Sequence, residues 1–185
     1  MQYQEEKFIN ALLFFGKKTN SKVFGITKLL KLLFLSDFRH FQKYGRPILG
    51  DVYFRLPQGP VPSISYSLFN DTFHLGQDTD LKKVARIISE KVDDYNLNRI
   101  EPLADPNLDV FSKSDLEIME NIAKKFYSKT GTEMVRDIHK IALIKDMKEG
   151  IKIDYKLILK NSADRAYIET LEKQEEGLVK ALGSL

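Results

Sequence analysis

Apolar side chains recur at Ile26, Leu29, Leu30, Leu33, Phe34, Phe38, Phe41 and Tyr44, the i, i+3, i+4, i+7 spacing that predicts a helix over Ile26–Tyr44. At about 100° per residue these positions share one broad arc, with Lys28, Lys31, Arg39 and Lys43 on the other. Leu32 and Leu35 fall among those cations, so this central helix is either covered on two sides or leaves an apolar strip open to a partner. Asp37 falls inside the apolar arc. Desolvating a lone carboxylate is costly, so a cation, several backbone N–H groups or a proton is expected beside it. One reading is a structural carboxylate clasping an arginine or a loop backbone. The other is a catalytic acid, which needs a second titratable group aimed at the same point, and the spacing identifies none.

The same reading extends along the chain. Tyr3–Lys17 carries Phe8, Leu12, Leu13 and Phe15 at helical spacing and is expected to pack on the central helix. Gly45-Arg46-Pro47 stops the central helix, because glycine accepts a left-handed cap and proline cannot continue the ladder. Asp51–Leu56 has the β-branched and aromatic content of a strand, and Pro57–Pro62 reads as a loop made rigid by three prolines. Ser63–Leu75 is a helix, with Tyr66 at its start as a core-edge tyrosine. Gly76–Asp80 breaks it, and Leu81–Ala85 adds a turn. Ile88–Val92 and Tyr95–Ile100, separated by Asp93-Asp94, predict a hairpin whose third strand is Asp51–Leu56.

Beyond the loop Pro102–Asn107, Ser112 or Ser114 caps a helix bearing Leu116, Met119, Ile122, Ala123 and Phe126. Thr130 or Thr132 caps a shorter one with Met134, Ile138 and Ile141 inward and His139 riding on it. A histidine without a neighbouring carboxylate or serine motif reads as a buried hydrogen-bonding group rather than a base. Ile151–Leu159 suits a strand or a helix start, and residues 163–185 read as a C-terminal surface helix. The expected fold is α+β: one mainly helical domain over residues 1–185 with a small antiparallel sheet.

Composition narrows the function. A chain of 185 residues, 43% hydrophobic and 30% charged, is long enough for a proper core. With no cysteine, and three histidines more than thirty residues apart, metal-ligand spacing is missing. The N-terminus lacks a secretory start and no apolar run suits a membrane span, so a cytoplasmic protein is expected. Residues 1–62 hold ten Lys and Arg against four Asp and Glu, a net of +6, while the rest carries −3. That basic half suits an acidic partner or nucleic acid, though no helix-turn-helix, zinc-finger or arginine-rich pattern supports base reading. Neither GxxxxGK[ST], GxSxG, HExxH nor GxGxxG occurs, so catalysis, metal and cofactor are not expected.

Three motifs taken in order, Lys28-Leu-Leu-Lys-Leu-Leu-Phe-Leu-Ser-Asp37, Tyr44-Gly-Arg-Pro47 and Gly59-Pro-Val-Pro62 followed by Tyr66, resemble those of the Panacea, or SocA-like antitoxin, domain family. The resemblance continues more weakly through Phe111–Asp115 to His139. Leu30 stands where the family often has glutamine, and no tryptophan follows His139, where members commonly have one. The resemblance implies a cytoplasmic, phage- or toxin-associated antitoxin that binds and neutralises a cognate toxin. The alternatives are a proteolytic adaptor delivering its toxin to a ClpXP-type protease, or a nucleic-acid-binding regulator. It gives Asp37, Tyr44, Gly45, Pro47, Gly59, Pro60, Val61, Pro62, Tyr66 and His139 as framework residues. The expected partner-binding residues are Lys28, Lys31, Leu32, Leu35 and Arg39, on the apparently exposed side of the central helix.

Overall fold

In a computed structural model, which describes residues 2–92 and 95–159, the central helix α2 spans Ile26–Tyr44 as its periodicity predicts. It follows α1 (Glu5–Lys18) and a short 3-10 turn (Ser21–Val23), and packs against α1. Gly45, at φ 72°, closes α2 by donating to Phe41 O at 2.9 Å, the left-handed cap that the Gly-Arg-Pro sequence calls for. Strands β1 (Tyr53–Leu56) and β2 (Gly59–Pro62) follow, then α3 (Ser63–Phe73), α4 (Asp80–Val84) and the hairpin β3 (Ala85–Val92) and β4 (Tyr95–Pro102). A 3-10 turn (Leu108–Val110) leads to α5 (Lys113–Lys125), α6 (Gly131–His139), α7 (Ala142–Lys145) and β5 (Lys152–Ile153). Ser112 and Thr130 cap α5 and α6, each in a capping box with Asp115 or Glu133 three residues on.

The chain forms two compact units, Met1–Ile153 and Asp154–Leu185. Within the second, the described segment is a 3-10 turn (Tyr155–Ile158) that Asp154 starts by accepting from Lys156 N at 2.9 Å. Ile151–Leu159 therefore divides between a short strand and a helical turn. The helix expected over 163–185 and the Asp93-Asp94 turn lie outside the described residues.

Two expectations about the sheet are corrected. Asp51–Leu56 does not join the hairpin: β1 lies between β2 and β5, and β3 pairs with β4 in a separate sheet. The stretch Gly59–Pro62 is an edge strand rather than a loop. Ser63 N donates to Val52 O at 2.8 Å and Tyr53 faces Pro62, a phase that turns the nitrogens of Pro60 and Pro62 away from β1. Proline is tolerated there because no ladder donor is lost.

The core joins Phe8, Leu12 and Phe15 of α1 to Leu29 and Leu33 of α2, Met119 and Ile122 of α5 and Met134 of α6. Leu32 is fully buried and Leu35 is partly buried against the same cluster. Alpha-2 is covered on both sides, by α5, α6 and β2, so the leucine strip is not open to a partner. Its exposed residues are Arg39, Lys43 and Tyr44 at the C-terminal end.

Candidate functional site

Asp37, fully buried, accepts through Oδ1 from Ile48 N at 2.9 Å and Leu49 N at 2.7 Å, and through Oδ2 from Tyr53 OH at 3.2 Å. The carboxylate therefore clasps the loop that Gly45 and the buried Pro47 redirect, which is the structural reading of the sequence. Tyr53 in turn packs edge-on against Phe34 and Phe38, with ring centres 5.6 and 5.5 Å apart.

Asp51 was not singled out by the sequence. It accepts from Ile64 N at 3.0 Å, and from Ser65 N at 2.8 Å and Ser65 Oγ at 2.6 Å, so it caps α3 from before β1. Pro62, the residue at the cap position, supplies no side-chain acceptor. Its signal was weak: an acidic residue followed, beyond a proline, by an uncapped Ser-Ile-Ser start. Tyr3 OH reaches Ser65 Oγ at 3.3 Å, and burial pushes its hydroxyl well above the ordinary range.

A second buried carboxylate, Asp115, gathers side chains from three segments. Lys7 Nζ lies 2.9 Å from Oδ2, while His40 Nε2 and Arg46 approach Oδ1 at 3.1 and 3.2 Å. Those two contacts with Oδ1 lack hydrogen-bond alignment. Burial alone would raise this carboxyl, but His40, Lys7 and the Ser112 N–H hold it well below the usual carboxylate range. His40 Nδ1 donates to Arg46 O at 2.7 Å, and Nε2 also lies 3.0 Å from Ser114 Oγ. Serine and aspartate thus address the same ring nitrogen. In a nucleophilic triad they occupy opposite nitrogens, so this grouping ties α1, α2 and α5 together without activating Ser114.

The lysines expected on a solvated face are inside. Lys28 donates to Tyr127 O and Lys31 to Pro60 O, each at 2.8 Å, and burial lowers both amines to about 8. Helical phasing puts charged residues outward by default, but both stems run under neighbouring elements to reach carbonyls. Lys28, Lys31 and Leu32 are therefore not surface residues as expected; Arg39 is exposed and donates to Gln42 Oε1 at 2.9 Å.

Gly59, at φ 88°, opens β2 against α6: a Cβ built there would lie 3.4 Å from His139 Nε2 and 3.6 Å from Lys31 Cε. Pro60 and Pro62 are buried and Val61 half-buried, whereas Tyr44 and Tyr66 stand exposed. Tyr44 OH donates to Glu117 at 3.2 Å, and Lys43 pairs with the same carboxylate at 2.8 Å. Asp37 is turned to the amides of Ile48 and Leu49, and His139 lies against Gly59.

Beside Gly59 a recess of about 590 Å³ opens between the starts of α2 and α6. Ile26, Thr27 and Lys28 form one wall, Thr132 and Val135 another, and Gln58 the lip. The two helices cross tightly below it, where a Cβ on Gly131 would come 2.9 Å from Thr27 Cβ. Among the described residues, no three His, Asp or Glu side chains are grouped to hold a metal ion, and no helix is long and apolar enough to cross a membrane.

Residues 29–142, more than half of the chain, match the family model of the SocA-like antitoxin Panacea domain. That span begins within α2 and runs through β1, β2 and the capped helices to the start of α7. No curated protein and no solved structure matches the chain.

Proposed function

Because the chain belongs to the SocA-like antitoxin, Panacea domain family, we propose that it is an antitoxin that neutralises a toxin encoded beside it by direct binding. The family match over residues 29–142 carries this reading. A binding role rather than catalysis is further supported by His40, Ser114 and Asp115, whose arrangement is that of a structural tie. The reading as a nucleic-acid-binding regulator is weakened, since Lys28 and Lys31 donate to backbone carbonyls inside the protein and leave Arg39 and Lys43 as the exposed cations of α2.

We assign the toxin contact to the recess between the starts of α2 and α6. The support is its concavity and its mixture of apolar Ile26 and Val135 with hydrogen-bonding Thr27, Thr132 and Gln58. Arg39 is the member of the expected binding set that is exposed, and it supplies a second test point on α2.

The experiment is a growth-rescue assay with the adjacent gene product. The toxin alone should arrest growth and co-expression should restore it, with a complex recovered on size exclusion. Gln58→Trp and Thr132→Trp fill the recess from exposed positions, so they should abolish rescue with an unchanged thermal melt. A non-toxic neighbour sinks the antitoxin reading; rescue by every folded variant sinks the recess. Toxin that disappears only in cells with a ClpXP-type protease would assign the adaptor mechanism in place of occlusion.

A further inference from the structure

Near the recess, a cluster of nitrogen-bearing side chains has only the weakly held Glu149 as counter-charge among the described residues. Arg55 on β1 faces Pro60 across the β1–β2 ladder, and Lys31 of α2 donates to the carbonyl of that same Pro60. His139, in the last turn of α6, lies against Gly59. Three elements thus direct a guanidinium, an ammonium and an imidazole at the beginning of β2.

Among the described residues, two of their atoms have no hydrogen-bond partner. Arg55 Nε and His139 Nε2 are both buried and make no hydrogen bond, although Arg55 Nη1 donates to Leu56 O. A buried N–H without an acceptor forfeits about 1–3 kcal/mol, more when the group is charged, so Arg55 Nε, which always carries its proton, calls for an acceptor, and His139 Nε2 donates to the same acceptor when the ring carries its proton there. Their neighbours make the deficit worse. The imidazole is held below its ordinary value by burial, then by Arg55 and Lys31, with Glu149 acting against that.

Glu149 is a poor counter-ion. Its Oε1 stays 3.9 Å from Arg55 Nη1, beyond hydrogen-bond reach, and its side chain is 58% exposed against 12% for Arg55. The cluster consequently sits just below the surface under a weakly held acid, beside Gly150, which has open space around it, and exposed Ile151.

We propose that Arg55, His139 and Lys31 form a receptor for a carboxylate, presented by an acidic side chain of the partner toxin. A carboxylate that competes with Glu149 for this charge accepts from Arg55 Nε and Nη2 in the two-pronged geometry that guanidinium favours, and from His139 Nε2 in its protonated form. Lys31 remains on Pro60 O and contributes its field. The carboxylate chemistry stands on the cluster itself; its source in a toxin rests on the antitoxin reading.

The test uses acetate as probe and the imidazole NMR signals of the whole protein as readout, with His139→Gln identifying the His139 resonance. Acetate, compared with chloride at equal ionic strength, should raise the His139 titration midpoint saturably. Arg55→Met should remove the effect, and Glu149→Gln should tighten acetate binding by about two- to fivefold, the factor an exposed ion pair is worth. Absence of an acetate-specific shift in both the wild type and Glu149→Gln overturns the receptor. The second arm is growth rescue: folded Arg55→Met should lose it. Rescue retained by that variant overturns the toxin as source, whereas a wild-type chain that never rescues overturns the antitoxin reading and leaves the acetate result standing.

Discussion

Lys31 Nζ donates to the carbonyl of Pro60 across 2.8 Å, so an ammonium from the middle of the central helix is spent on the backbone of an edge strand. Lys28, one turn earlier, does the same to Tyr127 O at 2.8 Å in the turn that follows α5. Two buried cations therefore join α2 to elements distant in sequence, and both carry a dependence on pH. Burial lowers the folded-state amines to about 8, against an ordinary 10.5. Between those values the unfolded chain binds protons that the folded chain has released, so stability rises as pH increases. Tyr3 acts in the opposite direction above its ordinary 10.0, because burial keeps its proton on in the folded state. The urea midpoint should consequently climb between about pH 8 and pH 10, and flatten in the double variant Lys28→Met, Lys31→Met. An equal slope in that variant would show that the lysines are solvated.

Asp37→Ala should cost about 1–3 kcal/mol, because the Ile48 and Leu49 N–H groups lose a buried acceptor. Urea denaturation measures it, and an unchanged midpoint would contradict the clasp.

Asp51→Ala should cost about 1–2 kcal/mol by uncapping α3, where Ile64 N and Ser65 N have no side-chain alternative at Pro62. Hydrogen exchange at those two amides should accelerate more than at the core of α2. Uniform acceleration would mean a global effect in place of a cap.

Gly131→Val should loosen the crossing of α2 and α6, since even a Cβ there meets Thr27 Cβ at 2.9 Å. Overpacking of this kind costs about 1–3 kcal/mol, read as a lower midpoint of thermal unfolding. The paired change Gly131→Val with Thr27→Gly should recover part of the loss, and no recovery would place the strain elsewhere.

The limits of α2 were legible because its apolar positions keep one helical phase from Ile26 to Tyr44 and a glycine ends it. The starts of α5 and α6 were legible from their capping hydroxyls, although Ser114, with Glu117 three residues on, fits the local pattern as well as Ser112, and Thr132 stood beside Thr130 as a candidate. The burial of Lys28 and Lys31 was not, because hydropathy treats the whole side chain as polar and cannot see a carbonyl supplied by Pro60 or Tyr127. Beta-2 was missed because its prolines read as loop punctuation, and only the pairing phase with β1 shows that they give up no ladder donor. The Asp115 grouping depends on Lys7, His40 and Arg46 meeting it from distant positions, a long-range fact that no local window contains.

The proline pattern of β2 has a consequence for how any second chain can attach. An exposed strand edge ordinarily serves as a template, offering alternating donors and acceptors to an incoming strand. Here the outward nitrogens belong to Pro60 and Pro62 and carry no hydrogen, and the Pro60 carbonyl is already taken by Lys31. That side of the sheet is chemically mute. Strand addition along this edge is thereby blocked, for a second copy of the chain as for any other.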